Sequence, residues 1–426
     1  MKKTFSSLAL LIFLIVAPAF AQKTGLEHLP DFQSQWTAAD LAPLREIIGE
    51  AHWVGLGESI HTTEGFSQAK FRIVRYMVEE MGFRALAFES GTGWRDASKA
   101  SQYVETCQGS VNNALDGLAM TWRGQSVADL LQWLCSYNQK HPADPVKFFS
   151  FDIQFQSEKD LTAIESGLKT VAPKSSKALM TGLSTCFGYG MDELTYKETL
   201  KTKGATTSDE DAQKCNAGLD RLDNFIALHI NGTKRRAWKW LRVASVGVRG
   251  FENLVYQKGR DQPRDLAMAT QIDYIHELLA PRAKTIIWAH STHLSQNGSA
   301  IQGASCLPNL TPWDGSPTMG EVFTRKHGSD YLPIALTGYE ISAFDYSQPN
   351  PWPIAHLPLP AGPNSIELKL HDIGAQNWIL DLNGDFLVQD QAYTVQDTGC
   401  QDAMIPSKQF RALISLEKVE AMQTPR

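Results

Sequence analysis

The hydrophobic pattern of the chain is a series of short apolar runs separated by longer amphipathic segments. The most informative segment is Trp53–Gly91, where an apolar run ends in glycines, about 18 residues of helical periodicity follow, and a second apolar run ends the segment. In its middle part, apolar residues recur at three- and four-residue steps and form one stripe: Phe66, Ile73, Val74, Met77 and Met81. The pattern predicts a strand–helix–strand unit whose two strands are parallel.

Further apolar runs predict the rest of a sheet. Val146–Phe151, Thr285–Ala289 and Tyr331–Leu336 are short apolar runs typical of buried strands, and Phe410–Val419 is predicted to return as a strand to an edge of the sheet. Helices are predicted in the segments between them: Asp40–Ile48, Gly109–Asn138, Arg264–Leu279 and Gly315–Lys326. This alternation predicts an α/β fold, with a mostly parallel central sheet flanked by helices, in a single domain over residues 22–426.

A long helical stretch interrupts the alternation. From about residue 157 to residue 256 the sequence is mostly helical, with a polar patch in the middle. We therefore predict a helical insertion whose tip is a loop at Ala205–Asp211. Such an insertion can act as a lid or arm over the edge of the sheet, or as a passive helical layer, and the sequence leaves both interpretations open.

Four of the predicted strands end in residues capable of chemistry: Glu58 with His61, Glu89, Asp152, and His290 with His293. In open α/β sheets, ligands bind outside the carboxyl ends of the strands, so these groups are expected to line one crevice. Each group alone has a structural explanation, such as a helix cap or a hydrogen-bonded core histidine. Together they predict an active site.

A basic residue lies inside the apolar stripe of the first predicted helix. Lys70 is four residues after Phe66 and four before Val74, so its ammonium must either reach solvent or meet a buried carboxylate. Glu58 and Glu89 are the expected partners, since each directly follows the apolar part of its strand. Lys70 is therefore predicted to lie close to the crevice.

Composition and the amino-terminal segment indicate an exported protein. The 426 residues carry a net charge of -6 without a basic cluster, which argues against nucleic acid as a partner. Residues 1–21 have the features of a signal peptide, with two lysines, the apolar run Leu8–Val16 and the small-x-small sequence Ala19-Phe20-Ala21. The apolar run is shorter than the roughly 20 residues needed to span a bilayer. We expect a monomer in the periplasm or secreted, with a small-molecule partner and no membrane contact after cleavage.

Six cysteines in an exported chain are compatible with three disulfides. Spacing does not determine the pairing. Our hypothesis joins neighbours in sequence and lets the last pair tie the tail to the core: Cys107–Cys135, Cys186–Cys215 and Cys306–Cys400. The absence of a Cys-x-x-Cys motif weakens a zinc-ribbon or thioredoxin-like interpretation.

The motifs leave two kinds of chemistry open. The sequence has no Gly-x-Ser-x-Gly elbow, no His-Glu-x-x-His and no P-loop. His290 and His293 could bind zinc or iron together with Glu58 or Glu89. The alternative is a hydrolase without a metal, in which a neutral imidazole held by a carboxylate takes a proton from water.

Several separate motifs, in order, resemble the erythromycin esterase family. They are Gly-Glu-Ser-Ile-His-Thr-Thr-Glu-Gly-Phe (57–66), Phe-Glu-Ser (88–90), Arg-Asp-Leu-Ala-Met-Ala (264–269), Trp-Ala-His-Ser-Thr-His (288–293) and Thr-Met-Gly (318–320). The resemblance extends from about residue 30 to residue 420. It implies an α/β fold with a helical arm, and an enzyme that opens the lactone ring of macrolides with an activated water, without a cofactor or metal.

The resemblance also implies roles for individual residues. His61 matches the general base, Glu58 and Glu89 match the acidic residues around it, Lys70 stands where a lysine or arginine is found, and His290 matches a second essential histidine. His293, beside it, and Asp152, at the end of the third strand, are our candidate substrate-binding residues.

Three hypotheses follow for the function. The first is an ester or lactone hydrolase that uses no metal. The second is a metal-binding protein or metallo-hydrolase that uses the same Glu/His cluster, since a related fold binds iron or haem. The third is a binding module without catalysis.

Overall fold

The structure is a computed structural model. It describes residues 25–91, 99–154, 157–191, 195–196, 198–199, 208–256, 262–304, 317–345, 348 and 351–425. The signal-peptide prediction falls on residues outside these ranges.

Two sheets make up the strand content of the described chain. The large sheet contains β1 (Leu26–Leu29), β2 (Trp53–Glu58), β3 (Phe83–Gly91), β4 (Lys147–Asp152), β5 (Lys284–His290), β7 (Tyr331–Phe344), β8 (Ile354–His356), β9 (Asn377–Asp381) and β12 (Ala412–Val419). The small sheet contains β6 (Gln302–Ala304), β10 (Tyr393–Asp397) and β11 (Cys400–Met404).

The strand order confirms the predicted fold class. The large sheet runs β1-β9-β12-β7-β2-β5-β3-β4, with β8 paired to β7. All neighbours from β12 to β4 are parallel, whereas β9 is antiparallel to both β1 and β12, and β8 to β7. The small sheet is antiparallel in the order β10-β11-β6.

The predicted position of the carboxyl-terminal strand is wrong. β12 lies inside the sheet between β7 and β9, not at an edge. The reason is the short apolar run Trp378–Leu380, which forms the buried middle of β9 and extends the sheet beyond β12. The first five residues of β12 are buried, as expected for a strand with neighbours on both sides.

Helices cover both faces of the large sheet. They are α1 (Ala42–Ile48), α2 (Glu64–Met81), α3 (Lys99–Thr106), α4 (Val111–Leu115), α5 (Gln125–Lys140), α6 (Ser157–Val171), α7 (Pro173–Thr181), α8 (Asp209–His229), α9 (Arg235–Tyr256), α10 (Gln262–Leu279), α11 (Ser291–Leu294), α12 (Met319–His327), α13 (Ile366–Ile373) and α14 (Pro406–Gln409). Within the described ranges, no helix combines the length and apolar character needed to cross a membrane.

Side chains alternate between the two faces of the sheet. In β5, Ile286 and Trp288 join the core shared with α2 and α5, while Ile287 and Ala289 face the core shared with α10 and α12. The amphipathic stripe predicted for α2 is correct, and the helix ends at Gly82, whose φ of 76° is the left-handed conformation favoured by glycine.

The helical insertion has a hydrophobic core of its own. Helices α6 to α9 enclose a cluster of buried apolar side chains, among them Leu161, Ile164, Leu168, Leu219, Leu222 and Leu241. The predicted loop at the tip of the insertion is only partly testable, because residues 205–207 are outside the described residues. Asp209–Asp211 are helical, since Ser208 caps α8 by accepting a hydrogen bond from the Asp211 N–H.

Two predicted disulfides are present. Cys107 and Cys135 join the end of α3 to α5, with 5.3 Å between their Cα atoms. Cys186 and Cys215 join the segment after α7 to α8, with 4.8 Å between their Cα atoms. The third predicted pair involves Cys306, which lies outside the described residues.

Candidate active site

The parallel register brings the predicted strand ends together. Glu58 at the end of β2 is the direct neighbour of His290 at the end of β5. Asp152 ends β4 beside Gly91 of β3. The carboxyl ends of these strands therefore form one polar crevice, as expected for an open α/β sheet.

His61 lies in the turn after β2 and is held by Glu58. Its Nδ1 is 2.9 Å from Oε1 of Glu58, which is only 1% exposed. The side chain of His61 is 20% exposed, and no described residue forms a hydrogen bond with its Nε2. The ring of Trp122 packs edge-on against it, at 4.7 Å between centroids. Glu58 thus fixes the ring, and Nε2 is the nitrogen available to a molecule in the crevice.

The turn that carries His61 is held by residues 420–423, which we name the clasp. The Met422 N–H donates to the Thr62 carbonyl (2.8 Å), and Thr62 has a φ of 60°, rare for a β-branched residue. The buried Glu64 carboxylate accepts hydrogen bonds from the backbone N–H of Gln423 (3.1 Å) and of Ser126 (2.8 Å). These contacts stabilise a strained backbone directly beside His61.

Lys70 pairs with Glu58, one of the two buried carboxylates predicted as its partner. It is fully buried, and its Nζ donates to Oε2 of Glu58 and, at 3.3 Å, to the Ala289 carbonyl. The ammonium lies 4.4 Å from the centre of the Trp288 ring. Burial lowers the pKa of Lys70 to about 8, although Glu58 and Glu89 oppose this shift. One carboxylate, Glu58, therefore links a buried cation to His61.

Arg264 joins Glu89 to Asp152. Its guanidinium makes a two-pronged contact with Asp152, with Nε to Oδ1 and Nη2 to Oδ2 both at 3.0 Å, and Nη2 is also 3.0 Å from Oε1 of Glu89. An irregularity in the β3–β4 register between Phe88 and Gly91 surrounds Glu89. The structure therefore places the Asp152 carboxylate in an ion pair within the crevice.

His293 lies between two carboxylates. Its Nδ1 is 2.6 Å from Oδ1 of Asp265, and its Nε2 is 3.4 Å from Oε1 of Glu89. Burial alone would lower its pKa, but Asp265 and Glu89 outweigh burial and raise the pKa of His293 to about 10. Burial alone would raise the pKa of Glu89, but His293, His61 and Arg264 hold it well below its ordinary value. At neutral pH, His293 is an imidazolium and Glu89 a carboxylate.

His290 has the opposite protonation behaviour. Burial, followed by the electrostatic interaction with the neighbouring His61, lowers the pKa of His290 to about 3, so its ring is neutral at neutral pH. Its backbone N–H donates to Oε2 of Glu89 (2.7 Å), and its Nε2 is 3.1 Å from the Ser59 carbonyl. Its ring centroid is 5.2 Å from that of His61.

The structure thus brings the predicted residues into one crevice and adds residues that the sequence did not indicate. The added residues are Trp122, Arg264, Asp265, Thr292 and Asp397. Arg264 and Asp265 lie in a motif that was singled out for its resemblance, and this was the available signal for them. Thr292 lies in the similarly noted motif of residues 288–293, whereas Trp122 and Asp397 had no comparable signal.

The same residues offer a ligand set that could hold a metal ion. Glu58, His61 and Glu89 each supply one ligand atom, and these atoms lie within 4.8 Å of one another. Two carboxylates and one imidazole suit zinc or iron. Lys70 already contacts Glu58, and Arg264 already contacts Glu89, so a metal cation would compete with two cationic side chains.

Fold and site together define an α/β protein with buried histidine–carboxylate pairs at the carboxyl ends of its parallel strands. The chain is 22% identical to YbfO of Bacillus subtilis, which is named as a hydrolase, over 354 residues that cover 78% of this chain and 75% of YbfO. It is 22% identical to erythromycin esterase type II of Escherichia coli over 317 residues, covering 70% and 72% of the two chains. A solved structure of a mutant of the erythromycin esterase EreC in its open conformation shares the fold, with a TM-score of 0.70, 17% identity and coverage of 93% and 98%.

The family itself is established by the sequence. The erythromycin esterase family profile matches residues 78–419. The chain belongs to the erythromycin esterase family and is a hydrolase, which confirms the resemblance noted in its motifs.

Proposed function

We propose that this protein is an exported hydrolase that cleaves an ester or a macrolide lactone with a water molecule activated by His61, without a metal. The observation that carries the proposal is the linked set Lys70–Glu58–His61, in which a buried cation and carboxylate orient a partly exposed imidazole. A base oriented by a second group is the arrangement expected of general base catalysis.

The reaction can be written with these groups. Nε2 of His61 takes a proton from water while the water oxygen attacks the carbonyl carbon of the ester. The carbonyl oxygen becomes an oxyanion, and the cationic side chains of Arg264 and His293 supply positive potential in the crevice. When the tetrahedral intermediate collapses, the bond to the alcohol oxygen breaks. That oxygen takes the proton from the His61 imidazolium, which restores the base.

The positions of the other residues suggest supporting roles. Lys70 has no exposed surface, so it acts through Glu58 by holding that carboxylate in the orientation that meets His61. His290 presents a neutral ring next to His61. Asp152 is engaged by Arg264, so we propose that it acts on substrate by fixing that guanidinium.

The substrate class rests on the names of relatives. The two curated Escherichia coli relatives are named erythromycin esterases. We carry this over to a proposal that the substrate is an ester or a cyclic ester of the macrolide kind. The histidine–carboxylate centre itself supports hydrolysis by an activated water and does not select the substrate.

Export is the second part of the proposal. Residues 1–21 have the pattern of a signal peptide, and the two described disulfides suit an oxidising compartment. We expect the protein in the periplasm or the medium. Cell fractionation, with mass spectrometry of the mature amino terminus, tests this, and an intact leader on cytoplasmic protein would contradict it.

A panel of simple aryl esters and macrolides tests the proposed reaction. Purified wild-type protein is expected to hydrolyse at least one member, and His61→Ala is expected to lower kcat by about 10²–10⁴-fold while remaining folded. His52→Ala is the matched control, because His52 is an exposed histidine that directly precedes β2 and pairs with Asp330. A folded His61→Ala protein with the activity of His52→Ala would refute the role of His61.

A metal-dependent hydrolase is the second candidate function, favoured by the grouping of Glu58, His61 and Glu89. Metal analysis of the purified protein, with activity measured before and after chelation, separates the two candidates. Activity that disappears with the chelator and returns with zinc or iron would favour the metal-dependent reaction.

A further inference from the structure

Asp397 reaches the candidate site from the small sheet. It is the last residue of β10 and is 9% exposed. Its Oδ2 accepts a hydrogen bond from the Thr292 hydroxyl (2.8 Å), and its Oδ1 is 3.4 Å from Nε2 of His290. A carboxyl group from a separate sheet thus contacts two residues at the end of β5.

A tight turn holds Asp397 in place. Thr398 and Gly399 connect β10 to β11 with φ values of 48° and 85°, both positive as in a type I′ hairpin turn. A threonine is disfavoured in this conformation, so the position requires support from its surroundings. The Thr398 N–H donates to the Ser59 carbonyl (2.7 Å), which is also 3.1 Å from Nε2 of His290. The hairpin is therefore docked on the segment that leads to His61.

The hydrogen bonds around His290 define which ring nitrogen carries the proton. The backbone N–H of Thr292 points to Nδ1 at 3.3 Å, so Nδ1 is an acceptor. Nε2 is then the protonated nitrogen of the neutral ring, and it faces the Ser59 carbonyl and the Asp397 carboxyl. Asp397 therefore lies next to the protonated Nε2 of His290. It also accepts a hydrogen bond from the hydroxyl of Thr292, whose backbone N–H binds Nδ1 of the same ring.

We propose that Asp397 is a positioning residue of this hydrolase, which holds Thr292 and the ring of His290 in the orientation that faces His61. The small sheet is then a working part of the site, because it delivers this carboxyl. The inference rests on the proposed function, in which His290 acts beside His61.

The ionisation of Asp397 gives the proposal a measurable signature. Burial raises the pKa of Asp397 to about 7, although the hydroxyls of Thr292 and Thr398 oppose the shift. The titratable groups that face this region are His61 after β2, His290 and His293 after β5, Asp402 on β11, and Glu58 and Glu89 beyond His290. Because the raised pKa leaves the carboxyl neutral below about pH 7, its hold on the Nε2–H of His290 weakens as pH falls. The value of kcat should therefore decline on the acid side of pH 7.

Asp397→Asn tests the proposal with a change of charge and little change of shape. We expect kcat to fall about 10–100-fold, as for other groups that orient a functional histidine, with a smaller change in KM and a shallower decline below pH 7. Asp402→Asn is the matched control, since Asp402 lies on the adjacent strand and burial also raises its pKa to about 7. The control should keep the wild-type kcat above pH 7, with the acid-side decline moved to lower pH, because the repulsion between the Asp397 and Asp402 carboxylates is removed. Wild-type kcat and pH profile in Asp397→Asn would overturn the proposal.

A second readout does not depend on turnover. In ¹⁵N NMR spectra assigned with His290→Gln, the ring nitrogens of His290 should shift between wild type and Asp397→Asn, and not between wild type and Asp402→Asn. Unchanged His290 signals overturn the positioning role, whereas shifted signals in a protein that hydrolyses no ester would count against the proposed function alone. If Asp397→Asn does not fold, Thr292→Val is the second variant, because it removes the hydroxyl that donates to Asp397. It should also lower kcat.

Discussion

His290 and His293 are three positions apart and have opposite charge states. Burial and the electrostatic interaction with His61 lower the pKa of His290 to about 3, whereas Asp265 and Glu89 overcome burial and raise the pKa of His293 to about 10. The difference arises from partners, since both rings are buried. At neutral pH one ring is a neutral hydrogen-bonding group and the other a lasting cation, so the two histidines are suited to different roles.

Lys70 allows a test in which activity and stability move in opposite directions. Its folded pKa of about 8 lies below the ordinary 10.5, so between these values the folded protein has lost a proton that the unfolded chain keeps. The contribution of Lys70 to stability therefore rises with pH in this window and is lost as pH falls through about 8. Activity that needs the ammonium declines as pH rises through the same value.

Lys70→Met keeps much of the apolar stem and removes the charge. We expect kcat to fall by about 10²–10³-fold at pH 7 and the alkaline decline to disappear, because Glu58 loses its buried cation. Lys284→Met is the control, since Lys284 is a partly buried lysine that pairs with Glu50 at the other end of β5. Steady-state kinetics and urea unfolding over a range from neutral to alkaline pH measure both effects. Normal turnover with lost stability would instead assign Lys70 a purely structural role.

The secondary-structure elements show which parts of the site could be predicted. Glu58 and Glu89 follow apolar runs, and the parallel sheet brings such strand ends together, so sequence periodicity was sufficient for them. Asp397 stands on a short strand of a separate sheet, and nothing in its local sequence indicates that this sheet docks beside β5. The edge position predicted for β12 is wrong because β9 lies beyond it in the sheet. With five residues, β9 is too short to give a strong periodic pattern in the sequence.

The clasp offers a test at the start of α2. Glu64 is 8% exposed and accepts hydrogen bonds from the backbone N–H groups of Ser126 and Gln423. Glu64→Gln replaces one accepting oxygen by an NH₂ group, which then faces an N–H donor. We expect the free energy of unfolding to fall by about 1–3 kcal/mol. Glu79→Gln, in the same helix but paired with Arg75 at the surface, should change it by no more than about 0.5 kcal/mol. Equal losses in urea unfolding would show that the clasp does not stabilise the turn.

For the molecule as a whole, the disulfides are expected to support stability and not chemistry. Both described pairs lie in helices or helical connections away from the strand ends, and Cys186–Cys215 lies within the insertion. Replacing Cys186 and Cys215 by serine should lower the free energy of unfolding by about 2–4 kcal/mol with kcat unchanged. Calorimetry and kinetics measure the two effects. A comparable loss of kcat in the folded variant would link the insertion to turnover.

We expect the clasp to delay the onset of activity until late in synthesis. Gln423 and Glu64 are 359 residues apart in sequence, so the support beside His61 is added only after nearly all of the described chain has been made. At about 5–20 residues per second, this delay is roughly 20–70 s. An incomplete chain on the ribosome would therefore have a loosely held base. Hydrolysis would then begin only after residues 420–423 have been made and have folded onto the turn that carries His61.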